Sequence, residues 1–562
     1  MSRKPNRRKP AAEPAAPRRW PEFVLSLLAF LIVAGELDPT GTYAWLPDGP
    51  GLTIDEVINV QQGVRTEIGL RAWLAGGITL RELFGDFEML GPRAPFGYHA
   101  TDYPPLGRYL LGVAHNFVTT FAFPANWGTH FVVAAARFGS ALAFAITIWL
   151  VASFTSDAFG RPAGLLAGVS LLLMPRLLGH AHLASLETMI GLFYTGTIIS
   201  IARRWEVASP VSNRAAIFAG IWWGLALLVK IQAILLPLPV TIWAFYHWRG
   251  AAVRPLAIMA TVGAAVFFFG WPWLWFDPLD HAFAYFAQTT DRASLPVWYM
   301  GQVWADVDVP WHYPFVMTAV TVPIGLLALS GAGLLAGTPV GWREPRCQLM
   351  FASFLTPLVV FALPGVTVYD GVRLFLVAFP LLAILAGRGG GIAWNWLRGR
   401  FSIRAAVAVV ALFLAIQATA AWSVRPVYLS GYNWAVGGLA GAEALGFEVN
   451  YWGDALTSEI LSAAADQIPK GGTLAVSPVL HQFQLDDLRT QTPSLRARDI
   501  RLVEYGTPEA AVADGLLIYQ RRASLPEQLR KQLDDVQPTA AIKRQGVRLS
   551  ALFVPAVGEG GE

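Results

Sequence analysis

Apolar runs of about 15 to 22 residues recur along the first three-quarters of the chain, close to the roughly 20 residues that an α-helix needs to cross a hydrocarbon core. They fall near 20–35, 130–152, 162–178, 187–202, 214–229, 231–247, 255–276, 315–336, 347–363, 373–387 and 405–424. Backbone groups left unpaired in lipid are costly, so closed helices are the economical way to span. A transmembrane β-barrel would show alternating segments of about ten residues, whereas these runs are continuous. Composition agrees: only 14% of the 562 residues are charged and 54% are hydrophobic, against about 25% charged in soluble domains. Cys347 is the single cysteine, which excludes an internal disulfide framework and a Cys-based zinc site.

Lys and Arg concentrate in cytoplasmic loops of membrane proteins, so their placement tests the span list. Residues 1–19 form a Pro/Ala-rich arm with Arg3, Lys4, Arg7, Arg8, Lys9, Arg18 and Arg19, expected to be disordered and cytoplasmic. With about eleven spans, the inner loops then hold Arg161; Arg203, Arg204 and Arg214; Arg249 and Arg254; Arg343 and Arg346; and Arg388, Arg398, Arg400 and Arg404. Reading the first run as a signal peptide would disturb this alternation. The stretch 104–123 is apolar enough to span, but counting it as a crossing would put the arginines outside. It is therefore read as a helix in or dipping into the outer interface. Residues 65–84 mix apolar and charged side chains in the manner of an amphipathic interfacial helix.

The expected architecture is mainly α: a polytopic transmembrane bundle over 20–454, with a long first outer loop at 36–129. A small soluble α/β domain follows over 455–562. Its helical periodicity lies at Glu459–Ile468 and its strand-like runs at Thr473–Pro478, Ile500–Tyr505, Gly515–Tyr519 and Arg548–Val554, with turns at Gly471-Gly472 and Gly506. Nothing in it forms a nucleotide loop, and no nucleic-acid partner is expected.

Ionisable residues at membrane depth are functional candidates by default. The outer face gathers Asp55 and Glu56; Asp102, Tyr103 and Arg108, around a Pro104-Pro105 helix start; Arg137; Arg176, His180, His182 and Glu187; Lys230; and Tyr369, Asp370 and Arg373. Each has a plainer reading. An Asp-Glu pair commonly marks a helix start, Arg108 and Lys230 can snorkel, and the two histidines are wrongly spaced for a metal site. Together they suit one chemistry. A carboxylate can take a proton from an acceptor hydroxyl as general base. Arg and Lys can stabilise charge on a departing lipid phosphate, Arg through bidentate hydrogen bonds.

These residues resemble the GT-C membrane glycosyltransferases, in particular the protein O-mannosyltransferases and lipid A aminoarabinose transferases. The resemblance runs from Asp55-Glu56 through Tyr103-Pro104-Pro105-Leu106, Ala136-Arg137-Phe138, Glu187, Gly224–Lys230 and Tyr369–Arg373 to Tyr432-Asn433, Gly437-Gly438 and Tyr451-Trp452-Gly453. It implies Asp55 as catalytic base with Glu56 and Glu187 supporting it, and Arg137, Lys230, Arg373 and Arg108 as partners of the donor phosphate. Asp102, Tyr103, His182, Tyr369 and Asp370 are the implied substrate contacts. Tyr103 stands where the family has His or Lys, and Glu187 where Asp is usual; both bear on donor identity. The implied partners are a polyprenyl-phosphate-linked sugar, an acceptor protein, lipid or glycan, and membrane lipids. The resemblance fixes no cofactor, and a divalent cation remains open. The implied location is a bacterial inner or plasma membrane, with the site and C-terminal domain extracytoplasmic. Two other classes stand beside this reading: a secondary transporter, which should show related halves and broken mid-membrane helices, and a non-catalytic receptor or scaffold, which would tolerate loss of Asp55.

Overall fold

The computed structural model describes residues 19–43, 45–85, 103–122, 131–287, 294–336, 344–478 and 480–555. The basic arm before Arg19, Asp102 and Arg343 lie outside the described residues.

The chain is mainly helical, and helices lie on each of the apolar runs. Among the described residues, four helical stretches are long and apolar enough to cross a membrane: Val133–Phe159, Ile231–Gly270, Arg373–Arg398 and Ile403–Trp422. Two bent pairs raise this to six, Arg161–Leu172 with Pro175–Ala181 and Tyr313–Thr321 with Ile324–Leu335, bent by 72° and 113°. Pro at the start of Pro175–Ala181 removes an N–H donor and favours the first of these breaks. Ile231–Gly270 is itself divided. Arg249 has a φ of 51°, and Val240 and Phe245 before it line one crevice with Leu256 and Met259 after it. The chain therefore folds back at Arg249.

The helix Val133–Phe159 sets the geometry of the rest. Its 27 residues rise about 40 Å at 1.5 Å per residue, so its two ends occupy separate environments. At the far end, Asp157 pairs with Arg19 and with Arg203 (3.1 Å), and Ser156 donates to the buried Glu22 (2.7 Å). At the near end lies Arg137, beside the candidate outer-face residues.

The interfacial helix expected over 65–84 begins earlier and ends earlier. The helix spans Glu56–Leu74, the chain turns at Gly76-Gly77, and a separate short helix, Leu80–Phe84, is capped reciprocally by Thr79 and Glu82. The first helix is half-buried against Pro105–Ala122. The two backbones cross at Gly63 and Gly112. A Cβ on Gly112 would lie 2.0 Å from the Gly63 carbonyl oxygen, and one on Gly63 would lie 2.1 Å from that of Arg108. Only glycine permits this approach.

Past the last long helix, residues 473–553 build a mixed five-stranded sheet. A separate hairpin, β1 (Pro296–Tyr299) and β2 (Gln302–Ala305), precedes it. The sheet strands are β3 (Thr473–Ser477), β4 (Arg501–Glu504), β5 (Gly515–Tyr519), β6 (Ala540–Arg544) and β7 (Val547–Phe553). β3 runs parallel to both β4 and β5, while β7 runs antiparallel to β5 and β6. Buried Leu474, Val476, Leu517 and Tyr519 belong to the same apolar cluster as Val33, Phe144 and Leu381 of the helices. The sheet is thus packed onto the helical part through a shared core. Its contacts reach the first loop: Gln484 donates to the Ile54 carbonyl (2.7 Å), and Thr40 donates to that of Gln491 (2.6 Å).

Candidate active site

Four helix ends converge on Arg373. Asp55 precedes the helix Glu56–Leu74, and Glu187 opens Glu187–Arg204. Lys230 follows Asn213–Leu227, and Arg373 opens the 3₁₀ turn Arg373–Ala378. Carboxylates near helix N-termini and a cation after a C-terminus each suit the helix dipole. Arg373 opposes its own helix, and carboxylates hold it there.

The Arg373 guanidinium donates from Nε to Glu187 Oε1 (2.8 Å), from Nη1 to Asp370 Oδ2 (3.0 Å), and from Nη2 to Asp55 Oδ2. Lys230 Nζ donates to the same Glu187 oxygen at 2.7 Å. Trp452 stacks on the guanidinium, 4.1 Å from ring centroid to Cζ, and Tyr369 lies 6.0 Å away. Glu187 and Asp370 are nearly inaccessible, with side-chain exposures of 3% and 4%, whereas Asp55 is 35% exposed. The one carboxylate in this cluster that solvent reaches freely is Asp55.

Backbone geometry aims Arg373 into the cluster. Asp370 and Gly371 both have positive φ, 55° and 63°, so the chain reverses just before the 3₁₀ turn. Asp tolerates this conformation better than most residues. At Gly371 a Cβ would also come within 2.8 Å of Arg176 Nη1. Arg176 is itself buried between Tyr432 and Tyr451, 4.8 and 5.3 Å from the two rings.

Glu56, adjacent in sequence to Asp55, belongs to a different arrangement. It is fully buried with Arg137, which donates from Nε to Glu56 Oε1 (2.8 Å) and from Nη2 to Oε2 (2.7 Å). The remaining Arg137 donors meet the carbonyls of Pro50 (2.8 Å), Gly51 (2.8 Å) and Leu37 (3.3 Å). Glu56 also accepts from the backbone N–H groups of Ala184 (2.6 Å) and Thr53 (2.9 Å). All five guanidinium N–H groups are directed at protein oxygens. Arg137 and Glu56 are therefore set apart from the Arg373 cluster.

The other sequence candidates are scattered around these two sites. Arg108 donates to Asn59 Oδ1 (3.2 Å) and lies 4.6 Å from the ring of the exposed Tyr103. The helix they begin docks beside Lys230, since Leu106 N–H donates to the Leu228 carbonyl (3.0 Å). His182 is buried, shares a hydrogen bond with the Leu178 carbonyl (2.8 Å) and stacks on Tyr428, not on the Arg373 cluster. His180 comes within 3.9 Å of Glu187. Among the described residues, no group of three or more His, Cys, Asp or Glu side chains is arranged to hold a metal ion. Arg373 itself bridges the three carboxylates.

Two members of the cluster come from beyond residue 450. Trp452 was visible in the sequence only as part of Tyr451-Trp452-Gly453. Arg521 carried no local signal: it donates to Asp370 Oδ1 (3.1 Å) across 151 residues. Nearby, burial raises the Glu448 carboxyl to about 7, despite the offsetting charge of Arg521 and N–H groups of Ala523 and Trp298. Burial likewise raises Asp454 to about 6.

The model of the dolichyl-phosphate-mannose-protein mannosyltransferase family matches residues 128–276, which include Arg137, Glu187 and Lys230. No curated protein matches the sequence. Among solved structures, the chain is similar to ArnT from Cupriavidus metallidurans bound to undecaprenyl phosphate, at 15% identity over 96% of this chain and 98% of that one, with a TM-score of 0.46. It is also similar to the archaeal oligosaccharyltransferase AglB from Archaeoglobus fulgidus in complex with an inhibitory peptide and a dolichol-phosphate (12% identity, 89% and 69% covered, TM-score 0.45). A third is the S. cerevisiae protein O-mannosyltransferase Pmt1–Pmt2 complex bound to its sugar donor (14% identity, 51% and 39% covered, TM-score 0.31).

Proposed function

We propose that this membrane protein transfers a sugar from a polyprenyl-phosphate-linked donor to an acceptor hydroxyl on a protein, lipid or envelope glycan, with inversion at the anomeric carbon. The observation that carries this reading is the Arg373 cluster: a solvent-accessible carboxylate, Asp55, hydrogen-bonded to a guanidinium that shares Glu187 with Lys230.

In the proposed reaction the acceptor oxygen attacks the anomeric carbon as the bond from that carbon to the phosphate oxygen breaks. Asp55 accepts the acceptor's proton, and the electron pair of the broken bond leaves with the lipid phosphate. A single displacement of this kind inverts the anomeric centre. Arg373 and Lys230 stabilise the leaving phosphate, with Glu187 keeping the two cations side by side. Removing one such donor typically costs about 10²–10³-fold in rate. Asp370 and Tyr369 orient Arg373, and Tyr103 and Arg108 border the donor. Arg137 and Glu56 have a different part. We assign them to holding the loop 50–56 against the bundle, because Arg137's donors are directed to Glu56 and backbone carbonyls.

The basic inner loops favour a cytoplasmic N-terminus, about eleven crossings and an extracytoplasmic site in a bacterial inner membrane. Arg373 bridges the three nearest carboxylates, Asp55, Glu187 and Asp370. Mass spectrometry of lipid-linked sugars and envelope glycans, with and without this protein in the cell, tests the proposal. Loss of one glycan modification with accumulation of its polyprenyl-phosphate sugar is expected. Identical profiles would overturn it.

A further inference from the structure

We infer that Arg521, at the end of the central strand of the C-terminal sheet, is a positioning residue for donor-phosphate recognition, acting through Asp370 on Arg373. This rests on the function proposed above. β5 ends at Tyr519, and the Arg521 N–H closes a tight turn onto the Tyr519 carbonyl (2.9 Å). The side chain then enters the cluster. Nη1 donates to the Tyr451 carbonyl (2.9 Å), and Nη2 donates to Asp370 Oδ1 (3.1 Å). The other Asp370 oxygen accepts from Arg373. One carboxylate, 4% exposed, is thus shared by two guanidinium groups.

The consequence is electrostatic as well as geometric. Around Arg373 stand three carboxylates, Asp55, Glu187 and Asp370, and with Lys230 and Arg521 there are three cations. Without Arg521 the cluster would carry one net negative charge more, and Asp370 would pair with Arg373 alone. Both changes oppose an incoming phosphate. Arg521 fixes the Asp370 carboxylate and draws its charge away, which leaves Arg373 oriented and able to exchange a carboxylate partner for phosphate. The same guanidinium holds the Tyr451 carbonyl, next to the Trp452 ring that stacks on Arg373. Removing Arg521 therefore loosens two supports of Arg373 together.

A role confined to holding the sheet in place would affect donor and acceptor alike. The full-length protein in detergent, titrated with undecaprenyl phosphate and assayed for transfer, separates the two. Arg521→Gln should weaken undecaprenyl phosphate binding about tenfold, raising donor KM with acceptor KM unchanged, and Arg521→Lys should recover part of the loss. In an Asp370→Asn background, Arg521→Gln should cost little more. Equal effects on donor and acceptor, unchanged binding, or losses that multiply in the double variant would overturn the assignment. Should Arg521→Gln not fold, Arg521→Lys decides: reduced phosphate affinity at constant acceptor KM supports the role, and wild-type affinity overturns it. If Arg373→Ala leaves undecaprenyl phosphate binding unchanged, the proposed function fails. If Arg373→Ala weakens it and Arg521→Gln does not, only the role of Arg521 fails.

Discussion

Asp55 and Glu56 are neighbours in the chain, and each meets an arginine, yet the two pairs are opposites. Arg137 and Glu56 are fully buried, and every guanidinium donor ends on a protein oxygen. Arg373 and Asp55 lie at the edge of a cluster where each carboxylate but Asp55 has a further cationic partner, and Asp55 is open to solvent. A buried pair with no unused valence holds a fold together; it has nothing left to offer a ligand. A pair whose carboxylate reaches water can release its arginine at modest cost, which a reaction with an incoming phosphate and an outgoing proton requires. Type and sequence proximity do not separate the two pairs. Burial and donor count do.

Four substitutions or conditions can break or sharpen this contrast. The largest effect on the fold is expected from Arg137→Ala. It leaves Glu56 charged, buried and without its cation, a loss of about 3–5 kcal/mol for a pair of this kind. Thermal unfolding of the purified protein should show a large drop or no folded protein, and a small shift would contradict the clamp. Arg373→Ala should behave differently. Glu187 keeps Lys230, Asp370 keeps Arg521 and Asp55 reaches water, so the fold should survive while donor affinity falls about 10²-fold; a titration with the lipid phosphate and a melting curve measure both. Gly371→Ala places a Cβ against Arg176 at a positive φ, at a cost of about 1–3 kcal/mol. Transfer should fall while the melting temperature shifts modestly, and unchanged transfer would separate the 370–371 turn from the aim of Arg373.

The smallest effect concerns pH. Glu448 titrates near 7 in the folded protein against 4.5 ordinarily, so between those values the folded state holds the additional proton. Stability from this group is therefore fully present below pH 4.5 and is lost as pH rises through 7. The melting temperature should fall by a few degrees from pH 5 to pH 8, and Glu448→Gln should flatten that slope. An unchanged slope in the variant would assign the dependence to other groups, Asp487 and Asp454 first among them.

Much of this was legible in the sequence, for identifiable reasons. Continuous apolar runs leave a chain few alternatives to helices, and helices lie on each of them. β3, β4, β5 and β7 show apolar strand patterns bounded by turn residues. β6 escaped because Ala540–Arg544 carries little apolar signal; its cue was the Gln545-Gly546 turn, where both residues take positive φ. The helix expected at 65–84 was displaced because its first turns are buried against Pro105–Ala122 rather than laid in an interface. Asp55, Glu187, Lys230 and Arg373 stand out as charges at the ends of apolar runs, and they are found together. Their partition from Arg137 and Glu56 was not legible, because pairing across 81 residues leaves no local pattern. Arg521 was hidden for the same reason.

The most direct test of the contrast is the transfer rate of Asp55→Asn against Glu56-intact wild type, measured at saturating donor with the fold checked by its melting temperature. Asparagine keeps the shape and removes the base. A fall of about 10²–10⁴-fold in an otherwise folded protein is the expected result. Near-wild-type transfer by Asp55→Asn would show that the open carboxylate is not the base.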